Sequence, residues 1–210
     1  MSMIITISRE TGSGGHTVGR LLAEKLGYDF YDKEIVASVA GRMGIDEKLI
    51  LENGENMSDQ DYIDMKSGFV PHCRKLDVPY EEIREAQEKV IKSIAEKGNC
   101  VIVGRGADDI LRERRDAFHV FIHADMEHRV RRVQRHEGVT DQAERIQREL
   151  EQKDRSRATY HRYFTQKEWG KVENYTLSLD SGTFTKTQCV ELIIKAVEMK
   201  RIRMENGSVG

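Results

Sequence analysis

The chain has 210 residues, 38% of them apolar and 33% charged, and its 34 basic and 36 acidic side chains leave a formal net charge of −2. That length fits one domain with a sizeable core or one domain carrying insertions, the composition is that of a soluble, polar globular protein, and the balanced charge offers no global positive field toward nucleic acid or an anionic membrane. Three widely spaced cysteines, Cys73, Cys100 and Cys189, give neither a disulfide framework nor a metal spacing, and with no leader-like or membrane-length apolar run the expected compartment is the cytoplasm.

Met3 to Ile7 is short, apolar and β-branched, which predicts a buried first strand. After a glycine-rich turn, Val18, Leu21, Leu22 and Leu26 keep helical spacing over 17–26, and Gly27 ends that helix. Tyr28–Tyr31 reads as a second strand and 33–43 as a helix. Residues 44–78 carry little pattern and are expected to form a mobile helical insertion. An amphipathic helix over 80–97 stops at Gly98. Strands are predicted over 100–103, 118–122 and 175–179, and helices over 127–136, 141–164 and 186–204. Only two prolines occur in the chain, in keeping with long helices. Strands alternating with helices of this length predict a single α/β domain over 1–210 with parallel strands and right-handed crossovers.

The run that carries chemistry is Ser8-Arg9-Glu10-Thr11-Gly12-Ser13-Gly14-Gly15-His16-Thr17. It lies between the first strand and the first helix. Glycines let the backbone wrap so that successive N–H groups face one concavity, and the helix N-terminus favours an anion there. Against the consensus GxxxxGK[ST], Thr17 stands where a hydroxyl ligates Mg²⁺, while Glu10 replaces the first glycine and His16 the phosphate-binding lysine. Gly12, Ser13, Gly14, Gly15, His16 and Thr17 are therefore the candidate triphosphate site. Arg9 and Glu10 pair with each other or with ligand. Asp32, at the end of the second strand, suits a sugar hydroxyl, a magnesium-bound water or the cap of the following helix. Arginine dominates the bases between Arg112 and Arg162, and its planar fork suits phosphate. His119 and His123 share a strand face but lack further metal-ligating partners, so a structural role is expected. Trp169, with Tyr160, Tyr163 and Phe164 upstream, suits stacking on a base or, as expected here, packing of the segment near 141–170 against the rest of the domain.

The stretch ISRETGSGGHTVGRLLAEKLGYDFYDKEI resembles the opening of the cytidylate kinase-like family. VIVGRGADDIL, VFIHADMEHRVRRV, KDRSRA and LSLDSGTFTKTQCVELI resemble later segments of its members, in the same order. The resemblance implies a three-layer αβα P-loop fold with a five-stranded parallel sheet in the order 2-3-1-4-5. It also implies an acceptor-binding insertion, here 44–78, and a mobile lid, here about 141–170. By position, it implies that Arg105 grips an acceptor phosphate and that Arg129 and Arg132 line the donor side. Asp154 and Arg157 would close over the reacting groups, with Arg155 a further lid charge.

The resulting expectation is an ATP- and Mg²⁺-dependent phosphotransferase of the nucleoside-monophosphate-kinase type acting on a small molecule, with CMP or dCMP the first acceptor. Aligned, neutralised phosphates and exclusion of water are what such transfer requires. Two other readings stay open. One is a small-molecule kinase with a non-nucleotide acceptor; the other is a nucleotide-binding regulator without transfer, which the His16 substitution keeps alive.

Overall fold

The computed structural model describes residues 2–48, 50, 54–67, 72–73, 78–138 and 142–207. The main elements in chain order are β1 (Ile4–Arg9), α1 (Gly15–Leu26), β2 (Asp29–Tyr31), α2 (Lys33–Met43), α3 (Asp59–Lys66), β3 (His72–Cys73), β4 (Val78–Pro79) and α4 (Tyr80–Lys97). They continue with β5 (Cys100–Val103), α5 (Ala107–Ile110), β6 (Ala117–His123), α6 (Met126–Glu137), α7 (Ala143–Thr165), β7 (Leu177–Asp180) and α8 (Lys186–Glu205). The central sheet runs β2-β5-β1-β6-β7, and every adjacent pair in it is parallel. Counting only its own five strands, the order is 2-3-1-4-5. The labels differ because a two-residue antiparallel hairpin, β3-β4, intervenes.

β1 sits at the centre, with Ile4 opposite both Cys100 and Ala117. It is buried on both faces, which is why it reads as an unbroken apolar run instead of an alternating one. The strand period then divides its side chains. Ile5 and Ile7 join Val18 and Leu22 of α1 and Val190 and Ile193 of α8 on one face. Ile4 joins Ile35 and Val39 of α2 and Ile91 and Ile94 of α4 on the other. Thr6 and Ser8 share Ile4's parity, so two buried polar groups point to the second face near the C-terminal end of the strand.

Helix α1 lies close on the sheet because residue 19 has no side chain: a Cβ there would come within 2.9 Å of Val103 and 3.3 Å of Phe30. Helix α7 is anchored at both ends. Its first half packs Ile146 and Leu150 on Val130 of α6, and its second half packs Tyr160 on Met57, Tyr80 and Ile83. Phe164 lies in ring contact with both Tyr160 and Tyr163, at 4.7 and 4.6 Å between centroids, in keeping with the packing role expected of them. Trp169 sits edge-on to Phe121 at 5.4 Å. His119 is tied to Thr6 Oγ1 at 2.8 Å, a structural contact within the core. Part of the insertion expected over 44–78, at 49, 51–53, 68–71 and 74–77, lies outside the described residues, as does 139–141 before α7.

Candidate active site

The loop between β1 and α1 has Gly12 and Gly14 in the left-handed region, at φ +83° and +90°, which bends the backbone around a concavity. Gly14 is the N-cap of α1. Gly15, His16 and Thr17 therefore fall in the first turn, where a helix offers N–H groups without an intrahelical acceptor. The loop is pinned from several sides. Glu10 N–H donates to Ile122 O at 3.0 Å, Ser13 Oγ donates to Glu10 O at 2.9 Å, and Ser181 Oγ donates to Ser13 O at 2.7 Å.

His16 does not lie over the loop. Its Nε2 is 3.2 Å from Asp32 Oδ2, its ring is edge-on to Phe30 at 5.5 Å, and its side chain is 51% exposed. Asp32 occupies the N-cap of α2 without a side-chain cap bond; its carboxylate turns to His16 instead. The cation over the loop is Arg132, from α6. Its Nη2 donates to Thr17 Oγ1 at 3.2 Å, and a Cβ on Gly14 would meet its Nε at 3.0 Å. Among the described residues no carboxylate pairs with Arg132, its Nε is buried without a partner, and burial and then Arg135 lower its pKa. Lys186 is lowered likewise by burial, Arg132 and Arg135. A curved backbone with an uncompensated guanidinium above it fits a polyphosphate. The Thr17 hydroxyl and the Asp32 carboxylate are hard oxygen donors of the kind Mg²⁺ accepts beside phosphate and water.

On the other side of the loop, every predicted lid residue but one enters a single ion network. Asp154 Oδ1 accepts from Thr11 N–H at 2.8 Å and from Thr11 Oγ1 at 2.7 Å, and Arg129 pairs with Asp154 Oδ2. Arg129 also donates to Thr11 O at 3.3 Å, and its Nε is 3.6 Å from Glu10 Oε2. Glu10 accepts from Ala124 N–H at 3.1 Å. Thus Arg9 and Glu10 do not pair with each other. Arg157 donates to Thr11 Oγ1 at 2.6 Å and to Glu55 Oε1 at 2.9 Å. Arg155 is exposed and stays out of the network.

Glu55 is the centre of a second cluster of arginines, and sequence reasoning missed it because it falls in the unpatterned insertion. Its Oε1 lies 3.1 Å from Arg9 Nη2, and its Oε2 accepts from Arg105 N–H at 2.7 Å. Burial alone would raise its pKa, but Arg9, Arg105 and Arg157 together with the Arg105 N–H hold it well below the usual carboxylate range. Arg105 is 3% exposed with φ +60°, its Nη1 donates to Ile50 O at 3.3 Å, and its Nε has no partner. A small cavity opens here at the C-terminal ends of β1 and β5, lined by Ser8, Glu55, Arg84, Asp108, Arg157 and Trp169 among others. Arg84 pairs with Asp109 at 2.7 Å, and Asp108 lies 3.7 Å from His161 Nε2. Neither carries a motif that marks it in sequence. His161 Nδ1 faces Lys167 O at 3.2 Å. Burial would raise the Asp108 pKa; His161 and Ser8 lower it.

The chain is similar to proteins of known class. It is 28% identical over 211 residues to the cytidylate kinase of Archaeoglobus fulgidus, covering 97% of this chain and 99% of that one. A crystal structure of an uncharacterized protein from Eubacterium ventriosum superposes with a TM-score of 0.67 at 26% identity, covering 93% of this chain and 98% of the other. Shikimate kinase from Bacteroides thetaiotaomicron, at 16% identity and a TM-score of 0.52, covers 99% of this chain and 100% of its own and shares the fold. With the family model matching residues 4–183, the chain belongs to the cytidylate kinase-like family and has the P-loop kinase fold.

Proposed function

We propose that the protein transfers the terminal phosphoryl group of ATP to a nucleoside monophosphate, with CMP or dCMP the first acceptor to test. The observation that carries this reading is the meeting of two anion sites across Thr11. The phosphate loop lies on one side, and on the other the guanidinium groups of Arg9 and Arg157 converge on a single carboxylate, that of Glu55, which also accepts from the Arg105 backbone N–H. Magnesium-bound ATP, when present, supplies the phosphoryl group. Residues 12–17 hold its phosphates, Thr17 and Asp32 hold the metal directly or through water, and His16 orients Asp32. Arg105 and Arg157 receive the acceptor's phosphate once Glu55 yields, and Asp154 and Arg129 keep the lid helix on the loop and exclude water. Arg155 adds charge at the lid's outer face.

One observation favours a second reading. With Glu55 in place, the acceptor-side arginines are already neutralised, which suits an acceptor that presents a hydroxyl without a phosphate. An ADP-release assay over nucleoside monophosphates and phosphate-free hydroxyl compounds separates the two. Turnover with CMP or dCMP supports the first and turnover with the hydroxyl compounds alone the second. ATP binding without ADP release for any acceptor leaves a nucleotide-binding regulator.

A further inference from the structure

The loop lacks a cation of its own, and its neighbours explain why. Gly15 carries no side chain and has no room for one: a Cβ there would lie 2.5 Å from Arg9 Cβ. Arg9 itself is spent on Glu55, at 3.1 and 3.4 Å. His16 is drawn off to Asp32. Nothing between residues 9 and 17 therefore places a free positive charge over the nest. Yet phosphoryl transfer concentrates negative charge on the β- and γ-phosphates, and a fixed positive group there stabilises it.

Resting on the nucleotide-binding reading above, we propose that Arg132 of α6 supplies this charge in trans to the loop, in place of a loop lysine. Its ion pairing distinguishes it from the other arginines nearby. Arg129 is engaged by Asp154 and Glu10, and Arg157 by Glu55 and Asp154, whereas among the described residues Arg132 meets only the Thr17 hydroxyl. Its Nε, like that of Arg129, is buried without a partner among the described residues, and its guanidinium lies against Gly14 at the mouth of the nest. Its helix is fixed by the Asp125 cap, which accepts from His128 N–H at 2.7 Å, so the guanidinium is held before ligand arrives. The arrangement moves the phosphate-binding cation from the loop to the helix that precedes the lid, and α7 packs on that same helix.

The test is titration calorimetry of the full chain with Mg²⁺-ATP and with inorganic tripolyphosphate, which needs no acceptor. Arg132→Ala removes only one hydrogen bond within the protein and is expected to fold with an unchanged melting temperature. It should weaken both ligands by roughly ten- to a hundredfold, as for loss of a hydrogen bond to a charged group. Arg132→Lys should recover most of that loss. Arg131→Ala is the control: Arg131 lies on the same helix but is exposed and paired with Glu127 at 3.1 Å, so its removal changes net charge equally and should leave both affinities alone. Equal affinities for the unaltered protein and Arg132→Ala overturn the proposal. So do equal losses in Arg131→Ala and Arg132→Ala, which would reflect a diffuse field, and a loss for ATP without one for tripolyphosphate, which would place Arg132 against the base. Failure of the unaltered protein to bind ATP overturns the nucleotide-binding reading and this proposal together.

Discussion

The two sides of the site are built on opposite electrostatic plans. On the donor side, the loop's backbone and Arg132 form a positive concavity in which, among the described residues, no carboxylate pairs with Arg132. On the acceptor and lid side, Glu55 and Asp154 already occupy the forks of Arg9, Arg129 and Arg157. The first region needs no rearrangement to receive an anion. The second must exchange an internal carboxylate for one, so its ion pairs act as a latch between the loop, the insertion and α7. On the proposed reading, pairs that are desolvated together hold α7 closed in advance, at a cost that acceptor binding must offset.

That contrast breaks most sharply at Glu55. Glu55→Ala leaves Arg9, Arg105 and Arg157 facing one another with their common counterion gone. It should lower stability in urea unfolding by about 3–5 kcal/mol, the usual loss when one member of a buried pair is deleted. A loss below about 1 kcal/mol would mean the network is solvated and is no latch. Acid offers a second way in. A carboxylate whose folded pKa is depressed contributes stability that is fully present above its unfolded value, ordinarily 4.5 for Glu55, and that disappears as pH falls through the lowered folded value. The stability difference between the unaltered protein and Glu55→Gln should stay constant from neutral pH down to the ordinary value of 4.5 and shrink below it. A difference that instead vanished near neutrality would assign it to another group.

The lid half of the latch is sharpened by Asp154→Asn, which removes the anion shared by Thr11, Arg129 and Arg157. Amide exchange over 151–160 should speed on the order of tenfold or more as α7 leaves the loop, while 80–97 stays protected. Uniform exchange across both helices would mean α7 is held by Tyr160 and its apolar partners alone. The smallest effect is expected at His16. Its pair with Asp32 is half exposed, so His16→Ala should change stability by no more than about 1 kcal/mol. ATP affinity should also fall far less than in Arg132→Ala. A larger effect at His16 than at Arg132 would return the loop cation to the imidazole and reverse the donor-side picture.

What the sequence alone determined were the features written locally. The helices over 33–43 and 80–97 and the strand over 100–103 lie where apolar spacing and glycine stops put them. The glycine-rich loop announced an anion site because backbone conformation depends on residues a few positions apart. The strand order followed from the resemblance, and the sheet has it. The candidate site was legible as a set, since Thr11 neighbours Gly12 in the loop and Asp154 and Arg157 do meet that loop. Its wiring was not. The contacts that decide it join residues 46, 50, 102, 115 and 143 positions apart: Arg9 and Arg105 with Glu55, Arg157 with Glu55, Arg132 with Thr17, and Asp154 with Thr11. Glu55 stands in a stretch with no period, and nothing local distinguishes Arg132, free of carboxylates, from Arg129, which is held by two. Only the packing of α6 and α7 over the loop decided which arginine was neutralised and which was left without a paired carboxylate among the described residues.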